Sequence, residues 1–339
     1  MIDTIRIRLH APVNPQLLSS VRQSVDENGE IVSTRGLINN MKVIIPSTGD
    51  VTYISGSIRK FHFGETALDD LNNFEINQVM DDLSARLSIS RAILENADLL
   101  RLDIGYTIQV EQPVEHYLEN ITGHTRIRSL QPYPGSIQIS GANKKIIFYD
   151  KIREIKNKSV SDAKITKGGN EVDPQTHWLR FEVQYKKVSG VRNQLDMRQL
   201  KDVLTSPQPA DEDASVQPSR YLSLQEKLRN EFDDVRFHLK TAVKIEQEIN
   251  RKYLAVLYAM LQMQGSKKTL ELVEEWKSDG ILNSSIAYNL KKDIREHAER
   301  LSSDTIDYKE DLSREIVESM DKSSEEYLNL IFHHLESGV

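Results

Sequence analysis

The chain has 339 residues, of which 38% are hydrophobic and 28% charged, with a formal net charge of −7 and no cysteine. That length accommodates two domains with ordinary cores, and the missing thiols exclude disulfide scaffolds, thiolate zinc sites and thiol nucleophiles. No stretch approaches the roughly 18 apolar residues of a membrane span, and the opening Met1-Ile2-Asp3-Thr4-Ile5-Arg6 lacks a signal-peptide pattern, so a cytoplasmic protein without a membrane partner is expected.

The first segment alternates, with Ile5, Ile7 and Leu9 on one face and Arg6, Arg8 and His10 on the other, the period of a half-buried strand. Short strands are expected at 41–46 and 51–58, joined by a turn at Ser47-Thr48-Gly49-Asp50, and a helix over 74–95, where Ile76, Val79, Leu83, Leu87 and Ile93 keep near-helical spacing. In 101–108, Leu102, Ile104, Tyr106 and Ile108 oppose Arg101, Asp103, Gly105 and Thr107. In 179–186, Leu179, Phe181, Val183 and Tyr185 oppose Arg180, Glu182, Gln184 and Lys186. Each of these strands carries a carboxylate and an arginine away from its apolar face, as a sheet with a solvated working face would.

Residues 205–219, rich in Pro, Ser and Asp, read as a linker that ends a first domain at 204. Beyond it, 220–264 has neither Gly nor Pro and keeps Leu224, Leu228, Phe232, Val235, Leu239, Ile245, Ile249, Tyr253 and Val256 at helical spacing; helices also fit 267–278, 284–301 and 304–335. The expected class is therefore α+β: a curved antiparallel sheet with helices in residues 1–204, followed by an α-helical accessory region over 220–339. The acidic helices could recruit a host helicase, form a homodimer or shield a basic site.

Charge is uneven. Lys144, Lys145, Lys151, Arg153, Lys156, Lys158, Lys164 and Lys167 crowd one short stretch, against Asp150, Glu154 and Asp162. This is either a solvated lysine-rich loop or a phosphate-facing patch. With Arg59 and Lys60, the residues Lys144, Lys145, Lys156 and Lys158 are the candidates for DNA phosphate contacts, which would position DNA without reading its sequence. Phosphate-loop, dinucleotide and esterase motifs are absent, and the nine histidines form no His-x-His or His-x-x-x-His pair, which disfavours a zinc hydrolase.

The stretch Ile146-Ile147-Phe148-Tyr149-Asp150-Lys151 runs an apolar strand into a tyrosine and then into charge. A neutral tyrosine is a poor nucleophile: with a reference pKa near ~10, forming the phenolate at pH 7 costs roughly 4 kcal/mol. If the segment stays extended, Lys151 shares a face with Tyr149 and can offset part of that cost. A divalent cation would offset more, and without cysteine or paired histidines its ligands would be oxygens. Asp103, Glu154 and Glu182 are the candidates; each also has a plain reading as a surface ion pair with Arg101, Lys151 or Arg180.

In order, Arg101-Leu102-Asp103, then Tyr149-Asp150-Lys151-Ile152-Arg153-Glu154, then Leu179-Arg180-Phe181-Glu182-Val183, following an opening Met1-Ile2-Asp3 strand, resemble the replication initiators of filamentous phages, the gene II/X family. More distantly the pattern is similar to plasmid rolling-circle initiators of the Rep_trans type. The resemblance covers about residues 1–200. It implies a site-specific endonuclease that nicks one strand of a replication origin, single-stranded or supercoiled, with Tyr149 as nucleophile and Lys151 beside it. A 5′-phosphotyrosyl enzyme and a free 3′-hydroxyl would result, with Asp103, Glu154 and Glu182 holding Mg²⁺ or Mn²⁺. Glu154 lies five residues after Tyr149, so it reaches the same site only if a turn or helix begins after Lys151. A non-catalytic DNA-binding regulator of replication on the same scaffold is the alternative, and a helical interaction protein with an incidental sheet is the third reading.

Overall fold

The computed structural model describes residues 1–158, 164–173, 175–204, 220–237, 241–242, 267–306 and 308–321. The expected linker at 205–219, the apolar positions Leu239, Ile245, Ile249, Tyr253 and Val256, and the end of the expected 304–335 helix lie outside the described residues. Two compact units are present: Met1–Arg236 together with Leu312–Val339, and Phe237–Asp311.

The first unit is built on an open sheet of ten strands. Its elements in chain order are β1 (Ile2–Leu9), β2 (Ser19–Val25), β3 (Ile31–Ile38), β4 (Met41–Pro46), β5 (Thr52–Ser57), α1 (Ile58–Phe63), α2 (Asn73–Leu87), α3 (Arg91–Glu95), β6 (Asp98–Val110), α4 (Val114–Asn120), β7 (Ile121–His124), β8 (Ser129–Tyr133), β9 (Ser136–Ser140), β10 (Lys144–Asp150), α5 (Lys151–Lys158), β11 (Thr166–Lys167), β12 (Asn170–Glu171), β13 (His177–Tyr185), α6 (Val188–Leu195), α7 (Arg220–Asp233) and β14 (Val235–Phe237). The sheet order is β2-β3-β4-β5-β1-β6-β13-β10-β9-β8, and its neighbouring strands pair antiparallel throughout. The α+β class with a large antiparallel sheet is therefore the observed one.

Alternation puts Ile5, Ile7, Ile54, Val43, Leu102, Ile104, Phe181, Val183, Ile146 and Phe148 into one core, all buried. A fully buried aliphatic side chain contributes about 1.5–3 kcal/mol, so this face carries the sheet. The 74–95 segment forms two helices rather than one. Asn72 and Glu75 close a capping box at the start of α2, but Ser88 turns left-handed (φ 54°) and Ser90 caps α3 through the Ile93 amide. Ile93 is consequently exposed rather than core.

Helix α7 packs on the apolar face of the sheet. Phe232 lies 5.6 Å from the Phe181 ring and 6.4 Å from Phe148, which itself stacks on Phe181 at 4.8 Å. Gln225 donates a hydrogen bond to the Tyr106 hydroxyl at 2.9 Å. Helical spacing does not continue through Val235, as the 220–264 pattern predicts: α7 stops at Asp233, whose successor Asp234 accepts from the Thr125 amide, and β14 pairs with β7. In the second unit, α8 (267–278) and α9 (Ser284–Asp304) bury Val273, Ala287 and Ile294 together, and the short strands Thr241–Ala242 and Thr305–Ile306 pair. A further helix, α10 (308–321), carries the buried Leu312, Ile316 and Met320.

Candidate active site

Register on the polar face of the sheet lines up three rows. Tyr149 stands opposite Arg180, and Arg180 opposite Thr107; Ile147, Glu182 and Gly105 form the second row; Lys145, Gln184 and Asp103 the third, with Asp103 continuing to Thr4 and Ser57. Directly paired residues share a face. Gly105 lets the two central strands approach here, because a Cβ in its place would sit 3.0 Å from Glu182 Cα.

A pocket of about 610 Å³ opens over these rows, lined by Asp3, Asp103, Tyr149, Lys151, Glu154 and Glu182 among others. Strand β10 ends where Asp150 accepts a hydrogen bond from the Arg153 amide at 2.9 Å, the geometry of a helix N-cap, so α5 begins at Lys151. The turn of helix brings Glu154 to the pocket. It also takes Lys151 off the extended strand, yet the Lys151 ammonium still lies 5.5 Å from the centre of the Tyr149 ring.

Around Arg180 the polar face is buried rather than solvated. Arg180 is fully inaccessible and Asp103 is 1% exposed. Arg180 holds Asp3 at 2.9 Å and Asp70 at 2.8 Å, donates to Thr107 Oγ1 at 2.7 Å, and has its Nε 3.5 Å from Glu182. Burial alone would raise the acids, but the Arg180 guanidinium, joined by Arg59 at Asp3, holds Asp3 below the usual carboxylate range and Asp70 at about 2. Asp103 moves the other way, to about 7, because burial outweighs its paired Arg101 and Glu182 and Asp3 add like charge.

Tyr149 Oη lies 3.4 Å from Glu182 Oε2. Burial first, then the Glu182 charge, push its phenol well above the ordinary value. Burial and then the Arg180 and Arg59 charges bring Lys151 down to about 8. Lys151 and Lys158 both bond Glu154 and, against burial, hold it at about 2.

The pocket thus gathers Tyr149, Lys151, Asp103, Glu154 and Glu182. Among the described residues no three His, Asp or Glu side chains are already set to enclose a metal ion. Asp103 gives both oxygens to the Arg101 guanidinium and Glu154 both of its oxygens to Lys151 and Lys158, so a hard divalent ion beside Asp103 and Glu182 would have to compete with Arg101.

The expected phosphate contacts divide. Arg59 is corrected: it is fully buried beneath the pocket, donating to the Ala67 carbonyl, and has no surface to offer DNA. Lys60 lines the pocket and pairs with Glu65. Lys144 is tied to Glu231 on α7 and Lys145 to Gln138, while Lys156 and Lys158 are exposed on α5. Tyr106 and Tyr185 are buried in the core. Sequence reasoning misses Asp3 and Asp70. Asp3 stands in the opening strand as a carboxylate among isoleucines, a readable signal; Asp70 arrives from a loop and gives none.

The antiparallel-sheet domain thus gathers a half-buried tyrosine, a buried lysine and several carboxylates in one pocket. Residues 1–201 match the family model for the N-terminal region of the phage replication-associated protein of gene II. The chain belongs to that family, the gene II type of rolling-circle replication initiator. No curated protein and no solved structure matches it. Among the described residues no helix is long and apolar enough to cross a membrane.

Proposed function

We propose that this initiator is a site-specific DNA nickase whose nucleophile is Tyr149. The observation that carries the reading is the Tyr149 hydroxyl 3.4 Å from Glu182 in a pocket shared with Lys151 and Asp103. Tyr149 Oη attacks the scissile phosphorus and its proton passes to Glu182. The bond from phosphorus to the 3′-oxygen breaks, and that oxygen takes a proton from the Lys151 ammonium, whose lowered pKa suits a donor near neutral pH. The 5′-phosphate stays on the tyrosine and the free 3′-hydroxyl primes synthesis. Attack by a later 3′-hydroxyl on the same phosphotyrosine reverses the exchange and closes the strand, with no need for ATP.

Arg180 is a positioning residue: it holds Asp3 and Asp70 and stands beside Glu182, and its fixed charge offsets part of the cost of the anions around Tyr149. A Mg²⁺ or Mn²⁺ ion held by Asp103 and Glu182 would polarise a phosphoryl oxygen and favour the phenolate.

The test is supercoiled DNA from the genome that encodes the protein, incubated with Mg²⁺ or Mn²⁺ and either wild type or Tyr149→Phe. An open circle with protein on its 5′ end, absent in the variant, is expected. DNA bound and never cut would favour the non-catalytic regulator, and a cut that survives Tyr149→Phe would move the chemistry elsewhere.

A further inference from the structure

The polar face of the sheet continues past the pocket. Outward from Arg101 on β6, one row passes through Arg6, Ser55 and Lys42; the neighbouring row passes from Arg8 through Tyr53, Ile44 and Arg35 to Arg22. Arg8 is held by Asp98. Arg6, Lys42, Arg35 and Arg22 are exposed, and among the described residues none has a carboxylate partner. Arg22 and Arg35 stand directly opposite each other, a cross-strand pairing of like charges that is unfavourable unless an anion lies over both.

The other side of the pocket differs. On β9 and β8 the same face presents Ser136, Gln138, Ser140, Gln131 and Tyr133, all uncharged. Along the strands themselves, the exposed cations without carboxylate partners therefore lie on the β1-to-β2 side of the pocket, not on β9 and β8.

We infer that double-stranded DNA flanking the nick lies across β1, β5, β4, β3 and β2, with its phosphates on Arg6, Lys42, Arg35 and Arg22. This rests on the nickase reading and adds to it where the uncut duplex goes. From β6 to β2 is five strand spacings, roughly 24 Å at ~4.8 Å each, or about seven base pairs at ~3.4 Å per step. The occupant is duplex because these two rows offer one aromatic, Tyr53, so unstacked bases would find little to stack on, whereas spaced cations suit a phosphate backbone. The acidic turn bearing Asp26, Glu27 and Glu30 follows β2 and bounds the track.

The test compares full-length Arg22→Ser/Arg35→Ser with wild type, both in a Tyr149→Phe background, for binding to duplex DNA from the encoding genome over a salt titration. Loss of two phosphate contacts should weaken binding about tenfold or more and reduce the slope of log affinity against log salt by about 2. The Arg22→Lys/Arg35→Lys variant should keep most of both. With Tyr149 restored, the serine variant should cut a single-stranded oligonucleotide at the wild-type rate. Unchanged duplex affinity and slope, with wild-type cutting intact, would overturn this inference alone. So would an equal fall in single-strand cutting, which would place the arginines in folding or in the pocket. A wild-type protein that neither binds duplex nor cuts any DNA would overturn both readings.

Discussion

The two faces of strand β13 are both buried and are held by different physics. On one, Leu179, Phe181, Val183 and Tyr185 meet a hydrophobic core that α7 completes with Phe232. On the other, Arg180 and Glu182 are buried as the core is, but are enclosed by Asp3, Asp70 and Thr107. Apolar burial tolerates exchange among similar shapes, whereas a buried ion network fails when one partner is removed and its counter-charges are left without compensation. The site is thus built on the side of the sheet where position is enforced by charge.

The contrast is sharpest at Arg180. Arg180→Met strands Asp3, Asp70 and Glu182 and should cost about 3–5 kcal/mol, read as a large drop in thermal midpoint. A loss smaller than that of an apolar-face variant would break the comparison. Asp70 tests the same network through pH. Its folded pKa is lowered to about 2 from 3.8, so its contribution is complete above about pH 4 and is lost as pH falls toward 2. That contribution is roughly 2 kcal/mol, and Asp70→Asn should flatten the acid limb of a stability-against-pH curve while losing stability at neutral pH. The smallest effect belongs to the apolar face: Phe232→Leu should cost about 1 kcal/mol, measured by denaturant unfolding, because a large aliphatic side chain still covers the aromatic pair.

Much of the fold is legible in the sequence because alternation on 5–10, 101–108 and 179–186 is strict, and the tyrosine-to-charge junction at 149–151 already contains the helix cap that brings Glu154 round. What is not legible comes from partners distant in sequence. Polar alternation suggests a solvated face, and only the arrival of Asp70 and Asp3 around Arg180 shows that it is closed at that point. Arg59 reads as a surface cation beside Lys60, yet a six-residue helix turns it inward to the Ala67 carbonyl. The 220–264 spacing is helical to its end, but pairing with β7 draws 235–237 into a strand instead.

Helix α7 has a consequence for how this protein can be divided. The family match stops at residue 201, and a natural-looking excision would cut there. Such a fragment would leave Phe148 and Phe181 without the Phe232 ring, Tyr106 without the amide of Gln225, and Lys144 facing no Glu231. The family-matched segment and the compact unit are therefore different lengths of chain: the unit runs through Arg236 and takes in Leu312–Val339 as well, where the Met320 carbonyl accepts from Gln225, so work on the pocket calls for the full chain.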